Sequence, residues 1–125
     1  MTTLDERTST RHVDAWVEIC EIGRLTPDRG VAALVDGRQV AVFRLSTGTL
    51  HAVDNVDPCS GAAVISRGIV GDADGTPTIA SPLYKQRFDL RTGRCLDAEV
   101  APLGVHDVTI VHHTVLVRLR APDAG

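Results

Sequence analysis

Apolar and polar residues alternate in short runs along this chain: "WVEIC" at 16–20, "VAALV" at 31–35, "QVAVFRL" at 39–45 and "LHAV" at 50–53, then "TIA" at 78–80, "RFDL" at 87–90, "VTIV" at 108–111 and "TVLVRL" at 114–119. A period of two places alternate side chains on opposite faces of a strand, so each run predicts a β-strand with one covered face. Between them stand turn formers: Asp36-Gly37, suited to a two-residue hairpin loop with positive φ, then Ser46-Thr47-Gly48, "GDADG" at 71–75 and Thr92-Gly93. No segment longer than about 10 residues keeps a 3.6-residue period. The pattern predicts an all-β domain of about nine or ten strands, an antiparallel sandwich or small barrel, with helix limited to short turns.

The domain is expected over 13–120, with flexible tails at 1–12 and 121–125, where the sequence turns polar or small. A chain of 125 residues fits one core. Only Trp16, Phe43, Tyr84 and Phe88 are aromatic, so the interior must be filled by Val, Leu, Ile and Ala. The net charge of -3 and the lack of a Lys/Arg run argue against a nucleic-acid partner. No run of 18 apolar residues and no apolar stretch behind the polar start "MTTLDERTSTRH" is present, so neither membrane span nor secretory signal is predicted and a cytoplasmic location is expected. Cys20, Cys59 and Cys95, an odd number without C-x-x-C, read as reduced thiols, mostly small apolar fillers.

Several candidate sites dissolve on inspection. The glycines of "RGIVGDADG" match neither a dinucleotide fingerprint nor a phosphate loop and read as a hairpin turn. Asp72 and Asp74 imitate the start of a calcium loop, but Leu83 stands where its bidentate Glu belongs. His112-His113 would point to opposite faces of a strand and reads as the turn between "VTIV" and "TVLVRL". His51 and Cys59 form a candidate imidazole–thiol pair.

Two proline-containing loops remain, "NVDPCSGAAV" at 55–64 and "SPLYKQRFDL" at 81–90. In the runs "LHAVDNVDPCSGAAVISRG" and "ASPLYKQRFDLRTGRCLD" the chain resembles the Rieske-type iron-sulfur domain, whose loops read C-x-H and C-x-x-H. A Rieske centre takes two Cys thiolates on one iron and two His nitrogens on the other. Carried onto this chain, the four ligand positions are Asp57, Cys59, Ser81 and Tyr84, and none keeps its family residue. The resemblance therefore implies a Rieske-like fold with a vestigial cluster-binding tip, and no cofactor or metal in this chain. Pro58 and Pro82 fix φ, Gly61 allows a sharp turn, and Phe88 can anchor the second loop in the core.

The phrases "GVAALVDGRQVAVFRL", "DPCSGAAVISRGIVGD" and "SPLYKQRFDLRTGRCLD" are similar to the small subunits of the NAD(P)H-dependent assimilatory nitrite reductases. That resemblance implies an accessory subunit, inactive alone, whose partner is a large subunit holding FAD, sirohaem and a [4Fe-4S] cluster and reducing nitrite to ammonium. The competing reading is a ferredoxin-like electron carrier with a real [2Fe-2S] centre; a thiol enzyme built on Cys59 ranks behind both. If Phe88 faces the core, alternation turns Gln86 inward and Lys85, Arg87 and Asp89 outward. Lys85 and Arg87 then flank the tip and are the expected docking residues.

Overall fold

The computed structural model describes residues 12, 13 and 15–120. The expected tails, 1–12 and 121–125, lie outside the described residues except for His12, which pairs with Val17. Among the described residues ten strands run in the order β1 (His12–Val13), β2 (Trp16–Glu21), β3 (Gly30–Val35), β4 (Arg38–Arg44), β5 (Leu50–Asp54), β6 (Ile69–Ala73), β7 (Thr76–Ala80), β8 (Arg87–Asp89), β9 (Val105–Val111) and β10 (Thr114–Arg118). Among the described residues helix is confined to 3-10 turns at Ile22–Arg24 and Ile65–Arg67.

Among the described residues three hairpins close with two-residue loops whose central residues both have positive φ, the geometry that matches strand twist. Asp36-Gly37 (φ 49° and 82°) and Asp74-Gly75 (53° and 90°) use the expected chemistry. His112-His113 (50° and 68°) makes the same turn without glycine, as its position between two alternating runs predicted. Strand β6 was not among those runs. It is the edge of its sheet and none of its five residues is buried, so no apolar alternation marks it.

Strands pair antiparallel in two sheets, one of seven strands ordered β1-β2-β10-β9-β5-β4-β3 and one of three ordered β6-β7-β8. Val17 and Ile19 of β2, Val115 and Val117 of β10, and Val35, Val40 and Val42 of β3 and β4 share one core. Strands from both ends of the larger sheet meet there, so it curls into a near-barrel. A second core joins Ala41 and Phe43 of β4 and Val53 of β5 to Ile65, Ile79, Phe88 and Leu90. Strand β4 thus faces a core on each side, and its run Val40-Ala41-Val42-Phe43 is buried throughout. Each large apolar side chain so buried contributes roughly 1.5–3 kcal/mol. The second core seats the three-stranded sheet against the barrel and carries both proline-containing loops.

Candidate functional site

The first loop leaves β5 and the second connects β7 to β8. Asn55, almost wholly buried, fixes the root of the first: its Oδ1 accepts the Ser66 N–H at 2.7 Å, and its backbone C=O accepts the Ile65 N–H at 3.0 Å. Phe88, fully buried, roots the second, and a bridge to Cys95 holds it from the far side.

Above these roots the loops share one backbone design. In the first, the Gly61 N–H donates to Asp57 O at 2.7 Å and the Asp57 N–H to Ala62 O at 2.8 Å. In the second, the Lys85 N–H donates to Ser81 O at 2.9 Å and the Ser81 N–H to Gln86 O at 3.0 Å. Side chains repeat the correspondence: Asp57 Oδ1 accepts the Cys59 N–H at 2.8 Å, and Ser81 Oγ accepts the Leu83 N–H at 3.3 Å. Each turn needs a left-handed residue at its fifth position, filled by Gly61 (φ 76°) and by Lys85 (φ 66°). Glycine meets that demand without strain, whereas a side chain there costs about 1 kcal/mol.

The first residues of the two turns touch. Ser81 Oγ donates to Asp57 Oδ2 at 2.6 Å, and both residues are completely buried. Gln86 Nε2 donates to Asp57 Oδ1 at 3.3 Å, so one carboxylate accepts from a hydroxyl, an amide and a backbone N–H. Gln86 lies inward beside Phe88, as alternation predicted; its Oε1 has no hydrogen-bond partner among the described residues.

Cys59 and Tyr84 are exposed and line a common open cleft of about 400 Å³, together with Lys85, Gln86, Asp97 and Ala98. Leu83 and Tyr84, 50% and 63% exposed, are the large apolar surface of the second loop, with Val56 and Leu96 also exposed. Lys85 and Arg87 both face solvent, as expected. Arg87 is engaged: its guanidinium makes a two-nitrogen contact with Asp97, closest at 2.8 Å, and its N–H binds the same carboxylate. Those hydrogen bonds hold the Asp97 carboxyl at about 2 and raise Arg87. Asp89 departs from the expected outward orientation. It is 7% exposed and accepts the Arg91 N–H at 2.7 Å, because the chain turns at Thr92-Gly93 and folds its own backbone over the carboxylate.

His51 does not meet Cys59. It lines a different groove with Thr49, Asp28 and Asp72, its Nε2 lies 3.1 Å from Thr49 Oγ1, and burial lowers its pKa. Cys95 is a buried filler as expected, Cys20 half-buried, and Cys59 exposed instead. A further polar cluster, unmarked in the sequence, ties β5 to β9. Asp54 accepts from Arg38 through both oxygens at 3.1 Å and lies 2.8 Å from His106 Nε2, while His106 Nδ1 accepts the Arg120 N–H. That acceptance assigns the imidazole proton to Nε2. Burial pushes the Asp54 carboxyl up, but the His106 and Arg38 hydrogen bonds outweigh it and hold it at about 2.

The structure brings the four sequence-derived ligand positions to one tip: Asp57 and Ser81 in contact, Cys59 and Tyr84 on the cleft beside them. The donor set does not fit a bridged two-iron centre of two thiolates and two imidazoles. At the positions that the resemblance assigns to thiolate stand two oxygen groups already bound to each other, and the one sulfur stands where the resemblance assigns an imidazole. No group of three or more His, Cys, Asp or Glu side chains among the described residues is placed to hold a metal ion. The direct Asp57–Ser81 contact was not read from the sequence. Its available signal was the repeat of D-P-x-x-G and S-P-x-x-K at matching places in the two loops.

The profile of the Rieske-like [2Fe-2S] domain family matches residues 15–118. The nitrite reductase (NADH) small subunit of Salmonella typhimurium is 38% identical over 104 residues, 82% of this chain and 96% of that protein. The large subunit of nitrite reductase [NAD(P)H] from Klebsiella oxytoca is 45% identical over 82 residues, 66% of this chain but 8% of that protein. Among solved structures, a chain from Mycobacterium tuberculosis described as an NADH-dependent nitrite reductase small subunit superposes with a TM-score of 0.81 at 44% identity, covering 88% of this chain and all of that one. Among the described residues no helix is long and apolar enough to cross a membrane.

Proposed function

Because the chain belongs to the Rieske-like [2Fe-2S] domain family and, within it, to the nitrite reductase small subunits, we propose that it serves a large redox subunit of an NAD(P)H-dependent nitrite reductase as an accessory subunit, without carrying a cluster itself. The observation that carries this reading is the Ser81–Asp57 hydrogen bond of 2.6 Å at the two positions where the family centre takes thiolate. With no redox group in this chain, its chemistry is binding: it docks through the tip and supports activity housed elsewhere. FAD, sirohaem and a [4Fe-4S] cluster belong to the large subunit in this scheme. The Klebsiella oxytoca protein favours that partner, since a large subunit there contains a segment similar to this chain.

The family's [2Fe-2S] description favours the second reading, an electron carrier. The oxygen-rich donor set weighs against it. Reconstitution separates accessory subunit from bystander: purified large subunit should comigrate with the chain in gel filtration and reduce nitrite faster in its presence, while the chain alone has no activity. Separate migration and an unchanged rate would refute the subunit reading.

A further inference from the structure

The two loops that form the tip share no backbone–backbone hydrogen bond with each other among the described residues. They are cross-linked by side chains: Ser81 Oγ and Gln86 Nε2 of the second loop both donate to the Asp57 carboxylate of the first. An O–H···O contact of 2.6 Å to a carboxylate is at the short, strong end of the range, and full burial at both ends keeps water from competing for it. A metal centre with ligands on both loops ties them by coordination; here the residues at those positions offer hydrogen bonds instead. We propose that Asp57 and Ser81 form a metal-free latch that holds the two loops in register and so fixes Leu83, Tyr84 and Lys85 in the conformation that meets the nitrite reductase large subunit.

The role in docking rests on the subunit reading above; the latch does not. Lys85 shows why a latch is needed. It holds a left-handed φ of 66° where the equivalent turn has glycine, and a side chain stays in that conformation only when its surroundings hold it there. Immediately before it, Leu83 and Tyr84 expose large apolar surface, and together the three offer an apolar contact beside one cation. The complementary surface is an apolar depression with an acidic edge. A loop already fixed in shape loses little conformational entropy on binding, so loosening it weakens association even though neither latch residue is exposed to touch the partner.

Matching backbones in the two loops allow a test by exchange. Asp57→Ser leaves two hydroxyls at the latch and Ser81→Asp places two carboxylates in contact, whereas the double variant restores one of each with the loops reversed. Amide hydrogen exchange at Cys59, Gly61, Leu83 and Lys85 reports the latch, and calorimetric affinity for purified large subunit reports docking. Asp57→Ser should reduce protection at those four amides at least tenfold, leave β4 and β10 unchanged, and weaken association about tenfold; the double variant should recover most of both. If Ser81→Asp does not fold, Asp57→Ser and the double variant carry the comparison. Unchanged protection in Asp57→Ser, or a double variant no better than it, would overturn the latch. Loosened loops with wild-type affinity would overturn its role in docking, and wild-type chain that does not associate would overturn the subunit reading while leaving the exchange result to judge the latch.

Discussion

The loops at 57–62 and 81–86 have the same backbone and opposite surfaces. The first holds small residues, Pro58, Cys59, Ser60, Gly61 and Ala62, and contributes the buried acceptor Asp57. The second contributes the donors Ser81 and Gln86, turns Leu83, Tyr84 and Lys85 outward, and accepts a strained φ at Lys85 where the first has Gly61. One loop anchors and the other displays. The two turns match in their backbone hydrogen bonds and differ in their side chains.

The anchoring half should break first. Asp57→Ala strands a buried hydroxyl, a buried amide and a backbone N–H together, which predicts a loss of about 3 kcal/mol or more, whereas Ser81→Ala removes one donor and should cost about 1–2 kcal/mol. Denaturant midpoints at constant slope measure both. Equal losses would mean that the carboxylate does not serve three donors.

The displaying half should be sensitive in binding and tolerant in folding. Reversing Lys85 and Arg87 to Glu should weaken association with the large subunit about thirtyfold, chiefly through charge contacts at the interface. Calorimetry at low and moderate salt checks this, with Lys85→Glu carrying more of the effect because Arg87 already serves Asp97. An unchanged affinity would place the docking surface elsewhere.

Below the first loop, Asp54 gives stability a pH dependence of known sign. Its folded pKa, about 2, lies below the ordinary carboxylate value, so its contribution is complete above about pH 4 and is lost as pH falls through 2. Urea titrations between pH 5 and 2 should show a shallower decline for Asp54→Asn than for wild type. A parallel decline would mean that the Arg38 and His106 contacts do not hold the carboxylate charged.

The smallest effects compare the fifth positions. Gly61→Ala should cost about 1 kcal/mol by placing a β-carbon at φ 76°, while Lys85→Gly should leave stability within about 0.5 kcal/mol or raise it. Thermal melts distinguish them. Equal destabilisation by both would contradict the equivalence of the turns.

Much of this was legible in the sequence, for reasons that differ by region. A strand whose alternation matches a covered face, such as β2, announces itself, and so does the His112-His113 turn, because two alternating runs leave only those residues to reverse the chain. Edge strand β6 buries no residue and leaves no such trace. At the tip the resemblance singled out four residues that the fold brings together, and alternation gave the inward turn of Gln86. Asp89 did not follow alternation, since the next turn folds over it, and the Asp57–Ser81 contact joins residues 24 apart that local pattern cannot pair. The His106–Asp54–Arg38 cluster stayed hidden for the same reason: its members lie on three strands.

In the proposed accessory role this tip is closed by hydrogen bonds and not by iron. Iron stoichiometry and the visible spectrum of the chain purified anaerobically from iron-replete cells test it most directly. The expected result is a colourless protein without stoichiometric iron whose four loop amides are nonetheless protected from exchange; two irons per chain with visible absorption bands would overturn the proposal and restore the electron carrier.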